Sequence, residues 1–195
     1  MTLPPFTELQ RQGLQEFITI GVGRAAAQLG AMVQRPILLS VPHLWLVEEL
    51  SQVAGINDGG VSVVEQAFSG QLEGAIALTF PVDAGHRLVS LLLGEDAAML
   101  PEAERSSALI EVGNIVVNAV MGSLGNMTGL ELDFALPLYR EGDLATLLGH
   151  VSGALLAAEV TIQIDGQDIS GTLLLFLRAG SLADLGMLIE RMAGG

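Results

Sequence analysis

The chain is 195 residues long, half of them hydrophobic, with no cysteine, and its 22 acidic against 8 basic residues leave a formal charge of −14. That sign is wrong for holding a phosphate backbone through counterion release, which argues against nucleic acid as a partner. The missing cysteine removes disulfides, thiolate metal sites and cysteine nucleophiles. The apolar share is enough for a full core, so one domain spanning 1–195 is expected. The opening residues Met-Thr-Leu-Pro-Pro-Phe lack a basic stretch followed by an apolar core, and no apolar run reaches the roughly 20 residues that span a bilayer. A cytoplasmic location without membrane insertion is the expectation.

From Pro5 to Met32, Phe6, Leu9, Leu14, Phe17, Ile18, Ala25 and Leu29 follow a 3.6-residue period, predicting a long helix that starts near Pro4-Pro5 or Thr7. Gly21 and Gly23 weaken such a helix by about 1 kcal/mol each relative to alanine, which points to another element approaching there. Ile37 to Val41 reads as a strand stopped by Pro42. His43 to Val53, carrying the single tryptophan Trp45, reads as a short helix, and 55–60 as a turn cluster. Val61–Ser69 and Leu72–Phe80 read as a hairpin turning tightly at Gly70-Gln71, followed by a helix Val82–Leu93 ending at Gly94.

After an acidic link at 95–104 the order recurs. A helix from about Glu102 to Met127 leads to a strand Glu131–Pro137 and an irregular or helical piece Leu138–Leu148. Strands Gly153–Ile164 and Ile169–Leu177 then turn at Gly166, and a helix Ser181–Met192 follows. Residues 95 positions apart also match: Glu16 with Glu111, Leu29-Gly30 with Leu124-Gly125, Met32 with Met127, Pro42 with Pro137. The expectation is an internally duplicated α+β domain with repeats at about 6–94 and 101–193. In it an antiparallel sheet carries two long adjacent helices on one face, in pseudo-twofold arrangement.

Gly21-Val-Gly23-Arg-Ala-Ala26 superficially matches a dinucleotide loop, but the next strand ends at Ser40-Val-Pro42 with no carboxylate for a ribose. His43, His86 and His150 have no second ligand at metal spacing, so packing or surface roles are expected and no metal site. The stretch that stands out is the second long helix. Ser107, Glu111, Asn114 and Asn118 recur there at steps of four, three and four, a polar stripe on an otherwise apolar helix. Asparagine is a poor helix-interior residue, and Gly113 beside it is expected to clear space for a partner.

The spacing Ser107-x3-Glu111-x2-Asn114-x22-Pro137, together with Met127-Thr-Gly-Leu130 and Ile37-Leu-Leu-Ser-Val-Pro42, resembles the signature of the CheC, CheX and FliY phosphatase family of bacterial chemotaxis. The resemblance implies a CheC-like fold and hydrolysis of the aspartyl phosphate of a CheY-type response regulator, whose bound Mg²⁺ belongs to the regulator, with no cofactor of the chain's own. It implies that Asn114 orients the attacking water and that Glu111 pairs with the regulator's active-site lysine, with Ser107 and Asn118 as partner-binding neighbours. In the first half, Gln12-x3-Glu16-x2-Thr19-x22-Pro42 keeps the carboxylate but replaces asparagine with threonine, so Glu16 and Thr19 form a degenerate second site. Family relatives also engage a CheD-type deamidase or pair as homodimers through their sheets; neither interface transfers residue by residue, and Leu132 and Phe134 suit a core or a dimer seam. The alternative is a non-catalytic signalling or flagellar-switch module that keeps the frame and docks a partner.

Overall fold

The structure is a computed structural model, and it describes residues 7–41, 43–47, 50, 60–151 and 153–193. Pro4, Pro5, Pro42 and the turn residues 55–59 lie outside the described residues.

Helix α1 (Glu8–Val33) starts at Thr7 through a reciprocal capping box. The Thr7 hydroxyl accepts from the Gln10 backbone N–H at 3.2 Å, and the Gln10 side chain accepts from the Thr7 N–H at 2.8 Å. Strands β1 (Ile37–Ser40), β2 (Leu44–Val47), β3 (Val61–Gly70) and β4 (Gly74–Pro81) follow, then helix α2 (Val82–Leu93). Helix α3 (Glu102–Thr128) opens the second half, with β5 (Leu132–Phe134), β6 (Leu138–Gly142), α4 (Leu144–Leu148), β7 (Ala154–Ile164), β8 (Gln167–Leu177) and α5 (Ala179–Ala193) behind it.

All strand pairs are antiparallel. They form one sheet in the order β1-β7-β8-β4-β3-β5, with β2 continuing alongside β7 and β6 alongside β3. The strands of each half therefore pair with the long hairpin strand of the other: β1 and β2 flank β7, and β5 and β6 flank β3. One face of the sheet is covered by α1, α2, α3 and α5, whose buried side chains, among them Phe17, Leu88, Val116 and Leu185, join Ile76, Leu78 and Phe80 in the main core. A smaller apolar cluster on the opposite face packs Val63, Ala157 and Phe176 beneath Leu144 and Leu148 of α4, with Trp45 against it.

The region expected to be helical from His43 contains a strand instead. Trp45 packs on the far-face cluster while Leu44 and Leu46 pack on the main core, a period of two that pairing with Leu155–Ala158 of β7 enforces. The Leu138–Leu148 piece likewise divides into β6, paired to β3, and the single helical turn and a half of α4. The second hairpin turns at Asp165-Gly166, both at positive φ (51° and 75°), the two-residue geometry that suits glycine at its second position. The first hairpin is looser than expected, with three residues between Gly70 and Gly74. Phe134 packs on Phe68 with ring centroids 6.3 Å apart, and Leu132 also packs against the main core, both half-buried on the terminal strand β5.

By length and composition α3 is apolar enough to cross a bilayer, but more than half of its apolar window is buried within the protein. It packs against α1, tightly at Gly21, where an added Cβ would lie 2.4 Å from the Val120 Cα. Gly23, expected to share that role, faces open space. Gly113 clears room for the chain's own sheet rather than for a partner: a Cβ there would lie 2.4 Å from Val64 Cγ1 of β3.

Gly21→Ala is therefore expected to destabilise the fold by about 1–3 kcal/mol through overpacking. Gly23→Ala, on the exposed side of the same helix, is expected to stabilise it by up to about 1 kcal/mol. Urea midpoints for the two variants check the opposite signs.

Candidate functional site

Helix α3 divides its residues by face. Leu109, Val112, Gly113, Val116, Val117 and Val120 are buried, while Ser107, Glu111 and Asn118 are exposed and Asn114 is half-buried between them. Ser107 turns its hydroxyl back onto its own helix, donating to the Ala103 carbonyl at 2.7 Å. Asn118 Nδ2 donates to Asn114 Oδ1 at 2.8 Å, one helical turn apart. That contact fixes the plane of the Asn114 carboxamide. It leaves the Asn114 amide donors and the second lone pair of Oδ1 for a solvent-side partner. No described residue forms an ion pair with Glu111.

Glu16 and Thr19 are exposed at the matching positions of α1. The position 95 residues before Asn118 is Gly23, so Thr19 lacks both the amide and the neighbour that would hold it. The long helices run antiparallel. Met32, at the end of α1, lines an open groove with Ser107 and Glu111, whereas Met127, at the end of α3, lines a second groove with Glu16. The two candidate sites thus sit toward opposite ends of one helix pair.

Each histidine meets a carboxylate across the fold: His43 with Glu159 at 2.9 Å, His150 with the buried Glu65 at 3.2 Å, and His86 with Glu141 at 3.7 Å. Arg140 closes on Glu65 as well. Among the described residues no three metal-ligating side chains converge. The sequence had not brought together Ser62, Tyr139 and Glu141, which meet beside α2. Ser62 Oγ donates to Glu141 at 3.0 Å and the Tyr139 hydroxyl donates to the same carboxylate. These residues come from β3 and β6, so no local spacing announces them. Missed too were Met32, Leu92 and Leu93 in the groove beside Glu111; the pairing of Met32 with Met127 at 95 residues was the one available signal.

No family model matches the chain. Over 136 residues it is 29% identical to the CheY-P phosphatase CheC of Bacillus subtilis, a match covering 67% of this chain and 65% of that protein. In structure it is similar to FliY from Thermotoga maritima, with a TM-score of 0.75 at 18% identity, covering 97% of this chain and 98% of that one. The chain has the CheC/CheX/FliY fold.

The CheC/CheX/FliY fold is seen again in the CheX–CheY–BeF₃–Mg²⁺ complex from Borrelia burgdorferi, with a TM-score of 0.56 at 17% identity over 84% of this chain and 99% of that one. The FliM middle domain from Helicobacter pylori shares it at a TM-score of 0.70 and 9% identity over 93% of this chain and 99% of that one. Within this CheC-like frame the polar stripe of α3 is presented outward while Leu109, Val112, Val116, Val117 and Val120 face the core.

Burial, and the hydrogen bond donated to the Glu141 carboxylate, push the Tyr139 hydroxyl well above its ordinary value. Tyr139 is the only tyrosine, so an ultraviolet titration reads it alone. In the folded protein the phenolate is expected to be absent at pH about 10, where an unfolded tyrosine is half ionised. Because the folded value is raised, the associated stability is complete below pH about 10 and is lost as pH rises above it. Glu141→Gln is expected to bring the titration toward the ordinary range.

Proposed function

We propose that the chain accelerates hydrolysis of the aspartyl phosphate on a CheY-type response regulator. Asn114 aims the attacking water, and Glu111 docks the regulator through a lysine. The observation that carries this is the half-exposed Asn114 carboxamide, held by Asn118 at 2.8 Å and one helical turn from an exposed glutamate. Similarity to a protein named as a CheY-P phosphatase supports the substrate class.

Phosphoryl transfer asks little covalent chemistry of a catalyst, and positioning with charge stabilisation accounts for most of the acceleration. A neutral carboxamide holds a water in line without adding negative charge next to the phosphoryl group. An additional carboxylate at that spot would repel it. Glu111, about 4.5 Å further along the helix axis by the 1.5 Å rise per residue, meets a lysine ammonium without crowding the reacting atoms. The acyl phosphate and its Mg²⁺ are the regulator's. Asn118, grouped in the sequence with partner-binding residues, acts here as a positioning residue for Asn114. Thr19, shorter and without such a neighbour, leaves the first-half site inactive or weak.

A scaffold role without catalysis is favoured by one observation, the likeness in fold to FliM middle domains. The two differ in phosphoregulator lifetime, which a scaffold leaves unchanged. With the chain added in catalytic amounts, the half-life of the phosphorylated regulator is expected to shorten. Asn114→Ala is expected to abolish the effect at unchanged circular dichroism. Glu111→Ala is expected to raise the half-saturating regulator concentration at least tenfold. Asn118→Ala is expected to lower the saturated rate severalfold with little change in half-saturation. Full activity in Asn114→Ala contradicts the mechanism.

A further inference from the structure

Next to Glu111 lies an open groove of about 660 Å³ lined by Met32 from the end of α1, Leu93 from the end of α2, and Glu104, Ser107, Ala108 and Glu111 from the first turns of α3. Met32 is 45% exposed and Leu93 48%, so two large apolar side chains stand in water beside two carboxylates. The walls are tied together. Arg35 donates its backbone N–H to the Gly30 carbonyl at 3.2 Å and its guanidinium to the Leu91 carbonyl and, at 2.6 Å, to Asp165. The ends of α1 and α2 are thus held in place before anything binds.

The groove between Glu16 and Met127 that corresponds to it is smaller, about 230 Å³. There α5 presses onto α1: Ile189 Cγ2 lies 2.3 Å from where a Cβ on Gly13 would stand, and Gln10 donates to Glu190 at 3.0 Å. The residue 95 positions after Gly13 is Ala108, so α3 carries a methyl group where α1 is bare. The wider groove adjoins the half that keeps both Glu111 and Asn114.

We propose that this groove takes an exposed apolar side chain of the response regulator, next to the regulator lysine that Glu111 engages, and so sets affinity for the regulator. The inference rests on the phosphatase function proposed above and names its docking contact. No lining residue is basic and two are acidic, which fits an apolar anchor flanked by positive charge. Ala108 lies six residues from Asn114, or about 9 Å along the axis, so phosphoryl group, lysine and anchor fall in that order along α3.

The test compares wild type with Met32→Glu and Leu93→Glu, with Leu136→Glu as a charge-matched control at an 85% exposed site beyond β5. Two quantities are read: the dephosphorylation rate against concentration of a CheY-type regulator phosphorylated by acetyl phosphate, and binding of the same regulator carrying beryllofluoride and Mg²⁺. Met32→Glu and Leu93→Glu are expected to raise the half-saturating concentration and the dissociation constant at least tenfold with the saturated rate kept, while Leu136→Glu changes neither. Unchanged binding in both groove variants overturns the groove, even where Asn114→Ala still abolishes turnover and the phosphatase function stands. If wild type does not accelerate hydrolysis, that function fails, and the beryllofluoride titration still decides the groove: tenfold weaker binding in the variants supports it, while equal binding or none overturns it.

Discussion

The contact at Gly21 and Val120 governs the rest of the molecule. With no side chain at Gly21, α1 and α3 come together along their buried faces, and that single approach sets which residues of both helices remain outside. Val116, Val117 and Val120 on one helix and Phe17, Ile18 and Val22 on the other are committed to the core, and the polar residues at helical spacing are left on the water side. Because the helices run antiparallel, the end of each closes over the start of the other. A site on the first turns of α3 is in this way walled by the last turn of α1.

The two halves are built alike in order but differ where chemistry is at stake. Threonine stands for asparagine at position 19, glycine for the supporting asparagine at position 23, and glycine for alanine at position 13, letting α5 settle where α2 stays back. All three differences lie on α1. Under the proposed function each removes a different part of the site: the water-aiming amide, its hydrogen-bonded neighbour, and the adjoining groove.

How far the fold could be read from the chain depended on how local each element's determinants are. The two long helices carry their own periods, so α3 was legible to within a residue, and Thr7, one of the two starts read for α1, is its N-cap. The β7–β8 hairpin was legible for the same reason, since Asp165-Gly166 needs only its own backbone. Strand β2 was misread because four residues with a bulky tryptophan hold no helical or extended preference strong enough to compete with pairing to β7, more than a hundred residues away in the chain. Gly113 was misassigned because a glycine states that something comes near without saying from which side, and only the sheet's position identifies Val64.

The polar stripe on α3 was legible because its spacing is local to one helix. The hydrogen bond between Asn118 and Asn114 is an i, i+4 pair and so within reach of the same reasoning, although spacing alone does not say that one amide holds the other. The groove was legible only through the pairing of Met32 with Met127, because its walls come from three helices that no local spacing brings together.

The central claim is that the Asn114 carboxamide itself meets the regulator, and side-chain amide resonances of the ¹⁵N-labelled chain report on that group directly. On titration with a beryllofluoride-loaded CheY-type regulator, the Asn114 and Asn118 side-chain signals are expected to shift or broaden together in proportion to the bound fraction. A saturated complex in which both signals stay where they were, with changes confined to the sheet edge at β5 and β6, contradicts the account.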